Sequence, residues 1–283
     1  MTLAFAPRSL AEALGLLAEH PDLVPVAGCT DLMVCEPERR LGLGGVMDLG
    51  RIPEIRGIER DGQGWRIGAA TTFTEIARSP AIRTSFPALA EAASVIGGWQ
   101  IQNRATIGGN MANASPAGDS LPVLLVLEAV AVAAGPSGVR EIPYSEFHVG
   151  YRKTALERGE IIAWVRLPDP PAGSIQRFRK VGTRESQAIS KVVVAMAAAR
   201  RGSALERVRF AAGSVAATPV RLRAAERICE GAEPVPALAE RAAAAAIAEV
   251  EPIDDVRSTA AYRRHVLGRV VRRMVLSCEG GVP

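Results

Sequence analysis

Residues 106–122, TIGGNMANASPAGDSLP, constrain the fold more than any other stretch of the chain. They hold three glycines and two prolines among small polar side chains. Gly and Pro both interrupt regular structure, so the segment suits neither a long helix nor a paired strand. Yet Ile107 stands at its start and the apolar run VLLVLEAVAVAA follows directly. A polar loop pinned between core elements must pair its backbone groups locally or leave them for something that binds there. Gly108 and Gly109 remove side chains where another group would approach the main chain. Thr106 and Asn110 frame them with hydrogen-bonding groups, and Asn113, Ser115 and Asp119 continue the polar series. A carboxylate repels phosphate, so Asp119 suits the hydroxyls of a sugar or ribityl chain, as acids do beside the ribose of dinucleotides. Asp119 or Ser120 also stands where a side chain would cap the helix that begins near Pro122.

A second loop has related chemistry. AGCTDL, residues 27–32, follows the β-like VPV and precedes a short helix expected from Asp31 to about Glu36. Gly28 permits a tight turn, successive amides can form an anion-binding nest, and Thr30 adds a hydroxyl. On its own this loop reads either as a pyrophosphate cradle or as an ordinary strand–helix turn. Neither loop is a G-x-G-x-x-G fingerprint or a P-loop. Two separated phosphate-type loops call for a large, extended ligand, and a dinucleotide lying across a cleft meets that need.

The surrounding pattern alternates short strands and short helices. S-x-x-E at Ser9 and T-x-x-E at Thr72 are capping-box signatures. Strands are expected at 24–26, 46–49 and 65–70, and a helix at 87–96. After the turn cluster LPDPPAGS come β-like runs at 175–181, 191–199 and 207–216. Helices are then expected from Thr218–Pro219 to Gly231, over 237–250 and from about 258 to 277. A domain boundary is placed near residue 172, with subdomains of about 1–55 and 56–172 before it and a smaller domain over 173–283.

Composition excludes several classes. Lys+Arg 34 against Asp+Glu 30 leaves a net charge of +4, no basic run of five occurs, and aromatics are only 4%. A dedicated nucleic-acid binder would concentrate its charge and its stacking rings. No apolar stretch reaches the length of a membrane span, and the N-terminal residues do not form a secretory signal, so a cytoplasmic location is expected. Cys29, Cys35, Cys229 and Cys278 lack metal-ligand spacing and are expected to be reduced. No His spacing supports a metal, so no metal ligand is expected from this chain. The arginines at 263, 264, 269, 272 and 273 read as a solvated helix face or a partner-docking face.

With these residues in view, a resemblance emerges. AGCTDL, then NRATIGGNMANASPAGDSLPVLLVLEA, GYRKTALERGEIIAWVRLP and RKVGTRESQAISKVVVAMAA together resemble the FAD-binding medium subunit of the xanthine dehydrogenase and carbon monoxide dehydrogenase family of molybdenum hydroxylases. The likeness covers essentially the whole chain. It implies an α+β fold: a two-subdomain FAD-binding domain of the vanillyl-alcohol oxidase (PCMH) type, then a smaller domain with an antiparallel sheet and a helical bundle. It implies that Ala27, Gly28, Cys29, Thr30, Asp31 and Leu32 form one FAD loop and Thr106, Ile107, Gly108, Gly109 and Asn110 the other. Asn113, Ser115 and Asp119 follow as cofactor contacts, with Lys180 near the flavin and Ile189 beside its ring. It further implies a large molybdopterin-binding subunit and a small [2Fe-2S] subunit as partners, in a dimer of heterotrimers. Electrons would pass from the clusters to FAD and on to NAD+, oxygen or another acceptor, with no catalytic acid or base on this chain.

Departures qualify the likeness. Cys29 stands where relatives carry a second glycine, and a packing role is expected for it. SQAIS lacks the Asp-Ile-Ala usual near the ring. Ile96 and Ile101 occupy expected ring-flanking positions, and Trp99 is a candidate shield for flavin or partner. Two competing readings are a stand-alone flavin oxidase on the same fold and a non-catalytic assembly subunit.

Overall fold

A computed structural model describes residues 3–34, 44–62 and 64–278. Cys35 and the expected helix beyond Val34 lie outside the described residues. The chain opens with a parallel three-stranded sheet in which Gly45–Asp48 lies between Leu3–Phe5 and Val24–Val26. The helix Leu10–Glu19 packs on it through Ala13 and Leu17. Ser9 caps this helix by accepting from the Glu12 amide, but the Glu12 carboxylate turns to the Arg8 amide, so only half of the expected box forms. The box at Thr72 forms in full and starts the helix Phe73–Arg78.

An antiparallel five-stranded sheet follows, in the order Ile58–Asp61, Gly64–Gly68, Ile161–Pro168, Val130–Gly135, Gly138–Pro143. One side of it meets the first subdomain through Ala134, Ile161 and Ala163. The other side is covered by short helices between residues 73 and 126.

The chain then builds an antiparallel sheet from Ile175–Val181, Val192–Arg201, Ala204–Gly213 and Val220–Arg221. Its central strand, VVVAMAAARR, is buried on both faces, which explains an unbroken apolar run where a half-exposed strand would alternate. Val193, Ala195 and Ala197 join the core beneath the five-stranded sheet, while Val192, Val194, Met196 and Ala198 face three C-terminal helices. This sheet therefore bolts the two halves together. Thr218–Pro219 does not begin a helix as expected. Val220 and Arg221 first add an edge strand, and the helix runs only over Arg223–Cys229. The last helix, Ala260–Leu276, is capped by Thr259. Among the described residues no helix is long and apolar enough to cross a membrane.

Candidate functional site

The two glycine loops face one cavity of about 1450 Å³, larger than the roughly 300–1,000 Å³ common for small-ligand pockets. Loop 27–32, the helix Ile107–Asn113, the segment 187–190 and the C-terminal residues 251–257 all contribute to its wall.

The glycines divide into two kinds. A Cβ on Gly28 would stand 1.9 Å from the Arg104 carbonyl oxygen, so the fold itself demands glycine where the first loop presses on the chain entering the second. A Cβ on Gly108 would meet Ala69 at 2.6 Å, and Gly108 does not line the cavity. At Gly109 the nearest neighbour would be Thr106 Oγ1 at 3.0 Å, and this residue does line the cavity. Gly109 is therefore the place where a ligand can rest against bare main chain.

Backbone donors are distributed unequally as well. The amides of Ile107 and Gly108 donate to the carbonyls of Thr71 and Ala69, and Gly109 donates to Thr106 Oγ1. In the first loop, the amides of Cys29 and Thr30 reach no acceptor among the described residues. Cys29 adopts φ +60°, the left-handed region that favours glycine. Glycine would adopt this conformation without strain. The Cys29 side chain is half-buried, with Sγ 3.6 Å from the Ala27 carbonyl, and borders the cavity. Burial and the nearby Asp48 raise the Cys29 thiol pKa, against the pull of Arg104, which keeps it protonated at neutral pH.

Asp119 caps no helix, and neither does the Ser120 side chain. Instead the Asp119 carboxylate takes the Lys180 ammonium at 2.6 Å and the Ser190 hydroxyl. Lys180 also donates to the Val95 carbonyl at 2.8 Å. Both side chains are 8% exposed. Burial raises the pKa of Asp119, while Lys180 and Ser190 pull the other way. Ser120 donates to Asn110 Oδ1 at 2.7 Å and orients that amide at the cavity wall.

All six residues of loop 27–32 line the cavity, as do Thr106, Gly109, Asn110, Asn113, Ser115, Asp119 and Ile189. Ile107 and Lys180 stand behind the wall, the first fully buried and the second holding Asp119 from the far side. Ile96 and Ile101 line it beside Ile189. Trp99 is 80% exposed and outside the lining. Sequence reasoning missed Tyr151 and Arg152, at a hairpin tip, and the C-terminal wall with Asp255 and Arg257. The doublet Tyr151–Arg152 after Gly150 was a turn signal that could have drawn attention to the hairpin.

Arg263 belongs to neither a solvated nor a docking face. It is 4% exposed, and its guanidinium donates to the carbonyls of Lys191 and Ser214 and to Asp255. Burial alone would raise the pKa of Asp255, but the amides of Arg257 and Ser258 and the Arg263 guanidinium outweigh it and hold it at about 2. Among the described residues no group of three His, Cys, Asp or Glu side chains is placed to hold a metal ion. The described cysteines at 29, 229 and 278 are free of disulfides.

The Cys29 and Thr30 amides, which reach no acceptor among the described residues, and the bare main chain at Gly109 share a cavity of about 1450 Å³, a setting for a large ligand that carries anionic groups. The comparisons agree. Residues 2–170 match the FAD-binding domain in molybdopterin dehydrogenase, and residues 177–278 match the CO dehydrogenase flavoprotein C-terminal domain. The chain belongs to the FAD-binding medium subunits of the xanthine and carbon monoxide dehydrogenase family and is an oxidoreductase subunit. It is 32% identical to the carbon monoxide dehydrogenase medium chain of Hydrogenophaga pseudoflava over 269 residues, 95% of this chain and 93% of that one. It is 31% identical to the xanthine dehydrogenase FAD-binding subunit of Escherichia coli O157:H7, over 94% of this chain and 92% of that one. The solved carbon monoxide dehydrogenase from Hydrogenophaga pseudoflava superposes with a TM-score of 0.91 at 33% identity, covering 96% of this chain and 95% of that one.

Proposed function

We propose that the chain holds one non-covalent FAD across this cavity and relays electrons from the [2Fe-2S] clusters of a small partner subunit to NAD+, oxygen or another acceptor. The molybdenum centre would lie on a large partner subunit, the assembly would be a dimer of heterotrimers, and its location cytoplasmic. Residues 1–172 are taken as the FAD-binding domain and 173–283 as the domain that closes its open side.

The observation that carries this reading is the juxtaposition of the Cys29 and Thr30 amides, which reach no acceptor among the described residues, with the bare backbone at Gly109 in one cavity. FAD, when bound, supplies a ring that accepts and releases electrons singly or in pairs. This chain's residues bind and orient. The first-loop amides and the Thr30 hydroxyl suit a diphosphate, and Gly109 leaves room for it to lie on the main chain. Lys180 and Ser190 fix Asp119 in one orientation, which also ties the segment carrying Ile189 to the second loop. Ile96, Ile101 and Ile189 give the wall an apolar surface that suits a planar ring.

Stepwise reconstitution tests the relay. A purine, aldehyde or aromatic heterocycle that the full assembly oxidises should bleach flavin absorbance only when both partner subunits are present. Bleaching of the isolated chain by such a substrate would replace the relay with the stand-alone oxidase.

A further inference from the structure

We propose that Arg263 is a positioning residue for the flavin end of the cavity: from the last helix it fixes the strand ends beside Ile189 and Ser190, and through Ser190 the Asp119 carboxylate. This inference rests on the FAD reading above.

Arg263 stands in the first turn of the helix Ala260–Leu276 and is 4% exposed. Its guanidinium reaches out of that helix to three separate segments. Nη1 donates to the Lys191 carbonyl at 2.7 Å and to the Ser214 carbonyl at 2.9 Å, and Nη2 donates to Asp255 Oδ1 at 2.7 Å. Lys191 and Ser214 sit where two neighbouring strands end. The ladder between Val192–Arg201 and Ala204–Gly213 closes at the pair Val193–Gly213, and both residues lie just beyond it. Carbonyls that have run out of ladder still need donors, and the arginine fork supplies them. Asp255 is itself held by the amides of Arg257 and Ser258, at 2.8 and 3.0 Å, so the fork hangs from a fixed point.

A continuous chain of hydrogen bonds runs from this fork to the cavity wall. The Ser214 hydroxyl donates to the Ser190 carbonyl at 2.9 Å, and the Ser214 amide donates to the Pro116 carbonyl at 2.8 Å. The Ser190 hydroxyl in turn donates to Asp119. Ser214 adopts φ +63°, in the left-handed region, which a non-glycine residue keeps where its surroundings hold it there. Its amide, hydroxyl and carbonyl are all engaged. Pro116, Asp119, Ile189, Ser190 and Ser214 all line the cavity. Arg263 Nε, by contrast, is buried without an acceptor among the described residues. An apolar side chain would fill this space without that penalty, so the use of an arginine here lies in gathering three acceptors from three segments at once.

The test titrates the flavin-free full chain with FAD, follows quenching of flavin fluorescence for affinity, and records the visible absorption of the loaded protein. R263M should bind FAD about tenfold more weakly and shift the absorption band, because the wall at Ile189 loses its tie. R263M/S190A should bind no more weakly than S190A, since both changes cut the same chain. V271A, which opens a cavity on the buried face of the same helix, should lower resistance to urea and leave affinity and absorption unchanged. Where R263M does not fold, R263K takes its place, alone and with S190A. Its ammonium cannot span three acceptors as the fork does, and binding about threefold weaker is expected. Unmodified affinity and absorption in the arginine variant would overturn the positioning role. So would losses that add to those of S190A, or a V271A chain that binds FAD as weakly as R263M. Absence of FAD binding by the unmodified chain would instead overturn the flavin reading on which the inference depends.

Discussion

Replacing Asp119 with Asn should destabilise the flavin-free chain by about 3–5 kcal/mol, the range for breaking a buried ion pair from one side. Lys180 Nζ lies 2.6 Å from Asp119 Oδ2, and both side chains are 8% exposed. At an effective dielectric near 20, a unit pair at that distance attracts by about 6 kcal/mol gross. Desolvation of both groups offsets part of this, and in D119N the buried ammonium keeps only neutral acceptors, the Val95 carbonyl and at best the new amide oxygen. Urea unfolding of the wild-type chain, D119N, K180M and D119N/K180M gives the coupling directly. The double variant should lose less than the sum of the two singles, because it buries no unpaired charge. A D119N chain as stable as wild type within about 0.5 kcal/mol would refute the reasoning and return Asp119 to a purely ligand-facing role.

The two kinds of glycine separate cleanly. G28A should lower folding stability by about 1–3 kcal/mol, since its Cβ meets backbone that cannot retreat, and the loss should appear in the flavin-free chain. G109V should leave flavin-free stability nearly intact while reducing FAD occupancy on purification. Equal folding losses in both variants would make Gly109 structural. Asp255 sets a pH window. Its folded pKa near 2 lies below the usual carboxylate value of 3.8, so its stabilisation is complete above about pH 4 and disappears as pH falls towards 2. The stability difference between wild type and D255N should therefore be large at pH 6 and close to zero at pH 2. His148 acts in the same direction over a higher range. Burial lowers its pKa to about 4, so the unfolded chain takes up protons first as pH falls below 6.5. Wild type should thus lose stability between pH 6.5 and 4 relative to H148Q, and parallel pH curves would contradict that.

Much of this architecture was readable because it rests on local chemistry. The Thr72 box, Thr259 as a cap and the apolar run at 192–199 each declare an element through a few neighbouring residues. What stayed hidden depends on distant partners. A glycine in a sequence does not say whether the chain or a ligand needs the space, and Gly28, Gly108 and Gly109 differ only through Arg104, Ala69 and the cavity. Arg263 looks like any arginine on a basic helix until the carbonyls of Lys191 and Ser214 come to it from the sheet. Asp119 read as a hydroxyl acceptor or as a cap before Pro122, while its partners, Lys180 and Ser190, lie 61 and 71 residues away. Cys29 is a further case. Its left-handed backbone follows from the loop's path between Gly28 and the turn Leu32–Val34, not from any preference of cysteine.

The central claim is that the cavity between the two loops holds one FAD without a covalent bond. Acid precipitation of the purified chain, followed by quantitation of flavin in the supernatant, measures this directly. The account predicts about one FAD released per chain, falling to a small fraction in G109V. Flavin retained in the pellet, FMN in place of FAD, or a colourless chain that does not take up added FAD would contradict it.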